Sequence, residues 1–203
     1  MDWEAALLLY IQEHIRSEAF TPFVTVVTHT ADSGLIWIIL CILLVLIPKS
    51  RRFGIIAGSS LALEALITNV CVKNFVARTR PYEAVEGLVN LIEKQKDYSF
   101  PSGHTGASFA VAGALFMIAL LGLPVVIKSG IVSREKTSVA YKIFGAFMVI
   151  IAFFIAFTRL YVGVHYPTDV IGGFLIGIAT SVIAYFGYHI AIKKYSMRKT
   201  KEA

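Results

Sequence analysis

Residues 101–127 read PSGHTGASFAVAGALFMIALLGLPVVI: a proline–serine–glycine–histidine start, then a run without one charged side chain. A helix crosses the hydrocarbon core of a bilayer with about 20 apolar residues, so the run predicts a membrane span from Pro101 to about Ile127. Its beginning is as informative as its length. Proline suits the first turn of a helix and serine is a favoured cap. The unpaired N–H groups there, with the helix dipole behind them, make an anion site. Gly103 removes a side chain where a ligand would approach the backbone, and His104 projects from the first turn into the same space. Taken alone, the tetrapeptide is equally well explained as a capped helix start with an incidental histidine.

Apolar runs and short polar islands alternate outward from there. Residues 33–47 form an apolar stretch ended by Pro48-Lys49 and Arg51-Arg52. A second covers 53–72, interrupted by Glu64, and is followed by a polar segment, 73–100, with Glu83, Glu86, Lys94, Lys96 and Asp97. Beyond 127, residues 143–158 and 167–192 supply a fourth and a fifth. Residues 3–20 place Leu7, Leu8, Ile11 and Ile15 on one side but also carry Glu4, Glu13, Arg16 and Glu18. That mixture predicts an amphipathic helix in the interface, with 21–32 leading into the first span. A sixth crossing through 5–31 is the alternative, and the broken polarity there argues against it. The expected fold is an all-α, polytopic membrane helical bundle: five spans plus an amino-terminal interfacial helix, in a single domain over 1–203.

Composition agrees. Of the 203 residues 57% are hydrophobic and 16% charged, against roughly a quarter charged in soluble domains, which excludes a soluble globular protein. The net charge of +6 does not signal nucleic acid, because the cations cluster between spans. Asp2 and Glu4 are acidic where a secretory signal carries a positive region, so no cleavable signal is expected. Cys41 and Cys71 sit in apolar runs without metal-type spacing and read as two buried thiols.

The cations also orient the chain. Lys49, Arg51 and Arg52 lie in one loop, Lys128, Arg134, Lys136 and Lys142 in another, and Lys193, Lys194, Arg198, Lys199 and Lys201 in the tail. With five spans, these twelve of the 19 lysines and arginines fall on one side. The positive-inside rule makes that side cytoplasmic. The polar islands then face outward together.

Two further islands accompany PSGH. Lys73, Arg78, Arg80 and Pro81 follow a span directly. Arginine grips a phosphate through two parallel N–H bonds and lysine acts as a mobile point charge, although a headgroup-facing collar explains such a cluster as well. Thr158-Arg159 closes the fourth span, and His165 and Asp169 bracket the fifth helix's start, with Pro167 suited to its first position and Tyr166 to its cap. A carboxylate one turn away can take the proton of one imidazole nitrogen and leave the other as a nucleophile. Helix capping by Asp169 beside a loop histidine is the plainer account of that pair.

In conjunction these motifs closely resemble the type 2 phosphatidic acid phosphatase superfamily, integral-membrane lipid phosphatases with a haloperoxidase-like active site. The signature K-x6-R-P, P-S-G-H and S-R-x5-H-x3-D is met by Lys73 through Arg80-Pro81, by 101–104, and by Arg159, His165 and Asp169. Thr158 stands where the family usually has serine, which leaves any role of that hydroxyl open.

The resemblance implies the roles. His165 would attack phosphorus to give a phosphohistidine, with Asp169 orienting it. His104 would protonate the leaving oxygen and then activate water. Lys73, Arg80 and Arg159 would hold the phosphoryl oxygens, and Ser102 and the Gly103 amide would complete the cradle. With three cations present, no metal or other cofactor is expected. The expected partners are the bilayer and a lipid phosphate, not nucleic acid. The expected activity is hydrolysis of a lipid phosphate or diphosphate at the outer face of a bacterial plasma membrane. Undecaprenyl diphosphate is the first choice; phosphatidylglycerol phosphate or phosphatidate is next. A lipid phosphotransferase and a non-enzymatic phospholipid binder or transporter are the rivals; for the latter both histidines would be dispensable. Glu64 in mid-span reads as a protonated carboxyl or a helix–helix hydrogen bond, His29 and Asp32 as interfacial polar residues, and Gly172, Gly173 and Gly177 as packing positions.

Overall fold

The computed structural model describes residues 2–126 and 132–201. Helix α1 (Trp3–His14) buries Leu8 and Ile11 and leaves Leu7 and Ile15 exposed. Its apolar side chains pack on Leu88, Tyr161, Val162, Val164 and Tyr166, so it covers the loops at one end of the bundle. Glu4, one of the charges that argued against a span here, is buried.

The first span differs from its expected bounds. Helix α3 (Leu35–Leu46) has 12 residues, too few to cross alone. It passes as a span only together with α2 (Thr21–Thr30), across a 45° bend at 31–34. The segment 21–32 thus belongs with α3 to one broken span or re-entrant turn, and Ser33 and Gly34 make the bend with φ of 54° and 69°.

Helix α4 (Arg51–Ala65) widens into a π-helix (Leu66–Val72) that runs directly into α5 (Lys73–Val76). Such wide turns concentrate at functional sites, and this one delivers Lys73. The short α6 (Pro81–Ala84) starts from Arg80. Helix α7 (Gly103–Leu121) is the most deeply buried of the spans. It ends before the expected Ile127, which lies outside the described residues. Gly122, at φ +83°, instead turns the chain into a hairpin of β1 (Leu123–Val126) and antiparallel β2 (Val132–Glu135), the one departure from an all-α fold among the described residues. Helices α8 (Val139–Tyr161) and α9 (Pro167–Lys201) complete the bundle. Among the described residues four helical stretches are long and apolar enough to cross a membrane, and up to five if the bent pair is one span: the chain is a multi-pass membrane protein.

Helices α7 and α9 run parallel in close contact, and glycine permits it. A Cβ on Gly177 would lie 2.6 Å from Gly106 O and 2.9 Å from Ala110 N; one on Gly173 would strike Ser102 O. Trp37 Nε1 donates to Ser108 Oγ at 3.0 Å, tying α3 to α7, and Tyr185 donates to Gly122 O at 2.8 Å, tying α9 to its far end. Cys41 is buried as expected, whereas Cys71 is exposed. The starts of α7 and α9 and the end of α8 therefore meet at one end of the bundle, opposite the basic loops.

Candidate active site

At that end a cavity of about 630 Å³ is walled by Lys73, Arg80, Gly103, His104, Arg159 and His165. Three stretches of sequence far apart in the chain thus meet in one space. The cavity continues along Ile38, Leu61 and Ala65, so its polar end grades into an apolar one.

Arg80, 3% exposed, is held as a rigid fork. Its Nε donates to Asp97 O (2.9 Å), Nη2 to Asp97 Oδ1 (2.6 Å) and Nη1 to Val164 O (2.9 Å). Nη1 also lies 3.4 Å from His165 Nε2. A guanidinium only donates, so that nitrogen is the ring's lone pair and the proton belongs on Nδ1. Nδ1 has no aligned hydrogen bond, yet sits 3.5 Å from Asp169 Oδ2. Burial pushes the His165 pKa down to about 3; Asp169 opposes the shift, and Arg80 and Arg159 reinforce it. The ring is therefore neutral near pH 7, its lone pair facing the cations.

Asp169 is heavily bonded. It accepts from the Ser99 hydroxyl (2.5 Å), the Tyr166 N–H (2.8 Å) and Arg78 Nη1 (2.7 Å). The bond from Tyr166, the residue before α9, is the return half of a capping box. Arg78 also pairs with Glu4 at 2.6 Å, and Glu4 accepts from both the amide and the hydroxyl of Thr168. The amino-terminal helix thus braces the start of α9.

Arg159 is 1% exposed. Its Nη1 donates to Thr28 Oγ1 at 2.5 Å, its Nε has no partner, and it joins no ion pair among the described residues. Thr158, at the position of the family's serine, donates its one proton to Ile155 O (2.6 Å) and accepts from the Thr28 hydroxyl (3.2 Å). Its hydroxyl serves the helix and Thr28 and faces no ligand space.

Lys73 pairs with Asp97. Burial alone would raise the Asp97 pKa, but Lys73 and Arg80 together hold it down to about 2. A Cβ on Gly103 would stand 3.8 Å from Lys73 Nζ, so the bare backbone at the helix start faces the cation. His104 Nε2 meets Asp32 Oδ1 at 2.9 Å.

Ser102 differs from expectation. Fully buried, it caps α7 by accepting from the Thr105 amide and hydroxyl, and it is not among the residues lining the cavity. The helix begins at Gly103, so Pro101 precedes the cap. Asp32, read as interfacial, belongs to the site. Glu64 has the partner its surroundings in sequence did not suggest: it accepts from Thr68 Oγ1 at 2.7 Å and packs over Gly106 of α7. Asp97, Ser99, Glu4 and Thr28 were not anticipated. Their only signal in the sequence is to be polar residues beside spans, and none has a local spacing to its partner.

The sequence profile of the PAP2 superfamily matches residues 53–192. The chain belongs to that superfamily. It is 31% identical over 143 residues to the undecaprenyl-diphosphatase of Sulfolobus acidocaldarius, an alignment spanning 70% of this chain and 58% of that protein. It is 30% identical over 158 residues to the decaprenylphosphoryl-5-phosphoribose phosphatase of Mycobacterium tuberculosis, spanning 77% and 73% of the two. Among solved structures, Aquifex aeolicus LpxE superposes with a TM-score of 0.68 at 25% identity, over 91% of this chain and 95% of that one.

Proposed function

We propose that this PAP2 protein is a lipid phosphatase working through a phosphohistidine, with undecaprenyl diphosphate as first substrate. The observation that carries the proposal is Arg159: a buried guanidinium without a carboxylate partner among the described residues, lining the same cavity as the lone pair of a neutral histidine. A buried cation left unpaired is costly unless a ligand completes it, and a phosphoryl group supplies both the charge and the oxygens.

In the first step His165 Nε2 bonds to phosphorus as the bond to the leaving oxygen breaks. That oxygen keeps the electron pair and takes a proton from His104. Asp169 balances the positive charge the ring acquires. In the second step water attacks phosphorus, gives a proton to His104, and the bond to His165 breaks to release phosphate. Lys73, Arg80 and Arg159 neutralise the equatorial oxygens throughout, which is the largest contribution expected in phosphoryl transfer.

The apolar extension of the cavity suits an amphiphile whose tail stays in the bilayer. The substrates named for the Sulfolobus and Mycobacterium relatives favour a polyprenyl lipid over phosphatidylglycerol phosphate or phosphatidate, and that of the Sulfolobus relative favours a diphosphate. The positive-inside rule supports a cavity on the extracytoplasmic face.

The test is phosphate release by detergent-purified protein in EDTA, across these three lipids, with His165→Ala alongside. Release that vanishes in the variant is expected. Activity lost in EDTA and restored by Mg²⁺ would sink the mechanism, and tight binding without turnover would favour a lipid carrier.

A further inference from the structure

The break between α2 and α3 does more than bend a span. Ser33 carries a side chain yet adopts φ 54°, followed by Gly34 at 69°. Left-handed backbone at a non-glycine residue is strained and persists where its surroundings demand it. The result of the bend is the placement of Asp32. Its Oδ1 meets His104 Nε2 and its Oδ2 meets His29 Nδ1, both at 2.9 Å. An ionised carboxylate only accepts, so each facing ring nitrogen carries a proton.

We propose that Asp32 is a positioning residue for His104, holding its Nε2–H at the cavity wall, and that His29 connects the pair to water. The inference rests on the phosphatase function proposed above. A general acid must present a proton from a defined nitrogen. Around His104 the other charged neighbours are Lys73 of α5 and Arg159 of α8, both cations. Among the described residues Asp32 is the one carboxylate in hydrogen-bonding contact with the ring. The site then has two matched pairs: Asp169 behind the proposed nucleophile His165, and Asp32 beside the proposed proton donor. They differ in access. Asp169 is fully buried, whereas the side chains of Asp32 and His29 are about half exposed. That contrast suits their tasks, because the nucleophile keeps its tautomer while the donor exchanges a proton in each half-reaction. When the P–O bond breaks, His104, protonated on both ring nitrogens, passes its Nε2 proton from the bond with Asp32 to the leaving oxygen and is left as the neutral ring. The proton returns to Nε2 from the attacking water.

The experiment compares two leaving groups. An alkoxide such as that of phosphatidate leaves only if protonated, whereas p-nitrophenolate leaves without help. Asp32→Asn is expected to lower kcat for phosphatidate about 30- to 100-fold, at or below the low end of the roughly 10²–10⁴-fold of general acid catalysis because Asp32 acts through His104, and for p-nitrophenyl phosphate less than about threefold. Asp32→Glu is expected to recover part of the phosphatidate loss. Retained p-nitrophenyl phosphate turnover itself shows that the variant folds. If Asp32→Asn elutes as aggregate, the exposed His29→Ala takes its place, with the same selectivity at about three- to fivefold. Equal losses on both substrates, or none, overturn the role of Asp32 alone. Wild-type protein that hydrolyses neither of these nor undecaprenyl diphosphate overturns the phosphatase proposal and this inference with it.

Discussion

Asp169→Asn strips one charge and one acceptor from the most heavily bonded carboxylate in the site, and its consequences can be worked bond by bond. Oδ2 accepts from Ser99 and the Tyr166 N–H and lies 3.5 Å from His165 Nδ1, while Oδ1 accepts from Arg78. An amide has one oxygen. Placed at Oδ2 it keeps Ser99 and Tyr166 satisfied, which turns its NH₂ toward Arg78, itself only a donor. Arg78 retains Glu4 and Thr168, so the fold loses one charge-assisted hydrogen bond, about 1.5–3 kcal/mol. The chemical loss is separate. His165 Nδ1–H now faces a neutral oxygen, and the positive charge of a phosphorylated ring goes unbalanced. The same substitution in a serine-protease triad costs about 10⁴ in kcat because it traps the wrong tautomer. Here the amide oxygen stays toward the ring and the tautomer survives, so the expected loss is about 10²–10³, or about 2.7–4 kcal/mol. KM should move less than about threefold, since Lys73, Arg80 and Arg159 are untouched. Initial rates of phosphate release in detergent read both constants. A folded variant that keeps more than about a tenth of wild-type kcat would refute the role given to Asp169.

Arg159→Met removes a buried cation while keeping most of its volume; KM is expected to rise at least about tenfold and the thermal midpoint to hold or rise, because an unpaired buried charge disappears. A lowered midpoint with unchanged KM would mean that Arg159 is structural. Gly177→Ala sets a Cβ 2.6 Å from Gly106 O, and since backbone cannot swing aside, α7 and α9 must part at a cost of about 1–3 kcal/mol, visible as a lower midpoint in detergent. An unchanged midpoint would contradict the close packing. Folded His165 titrates near pH 3 against 6.5 in the unfolded chain. The unfolded chain therefore binds the extra proton between those values, so stability is full above about pH 6.5 and falls as pH drops toward 3. His165→Ala should flatten that part of the profile; a slope identical to wild type would put the origin elsewhere.

The residues that could be found in the sequence share one property: their chemistry is signalled by neighbours in the chain. Lys73 and Arg80, His104 beside its cap, and Arg159, His165 and Asp169 each sit at fixed spacing around a helix end, and all but Asp169 line the cavity. The carboxylates that answer them lack this. Asp97 lies 24 residues from Lys73 and Asp32 lies 72 from His104, with Glu4 74 from Arg78. Nothing in a run of three or four residues announces a pairing that tertiary folding alone creates. The spans show the same division. Hydropathy locates the apolar stretches, but the first span needed α2, whose Thr25, Thr28 and His29 mask its helical character, and the third stopped early because Gly122 can turn where a side chain would meet Glu135 O at 2.7 Å.

The long-range carboxylates also make sense of a site with so many cations. Lys73, Arg80 and Arg159 line a cavity of about 630 Å³ and Arg78 stands behind it on Asp169; without internal anions these four cations would repel one another during folding. Asp97 holds Lys73 and Arg80, and Glu4 with Asp169 holds Arg78, so three of the four are neutralised by the protein itself. Asp97 is half exposed and its partners line the cavity, so an arriving phosphate can replace it by competing for the same N–H donors. Asp169 is fully buried and stays. Arg159 alone of the four has no ion pair among the described residues. On the proposed function, a phosphate would meet Arg159 open and would release Lys73 and Arg80 from Asp97 as it seats. This arrangement concentrates the binding energy on the phosphoryl group, where charge develops in the transition state, and leaves the lipid tail to the bilayer.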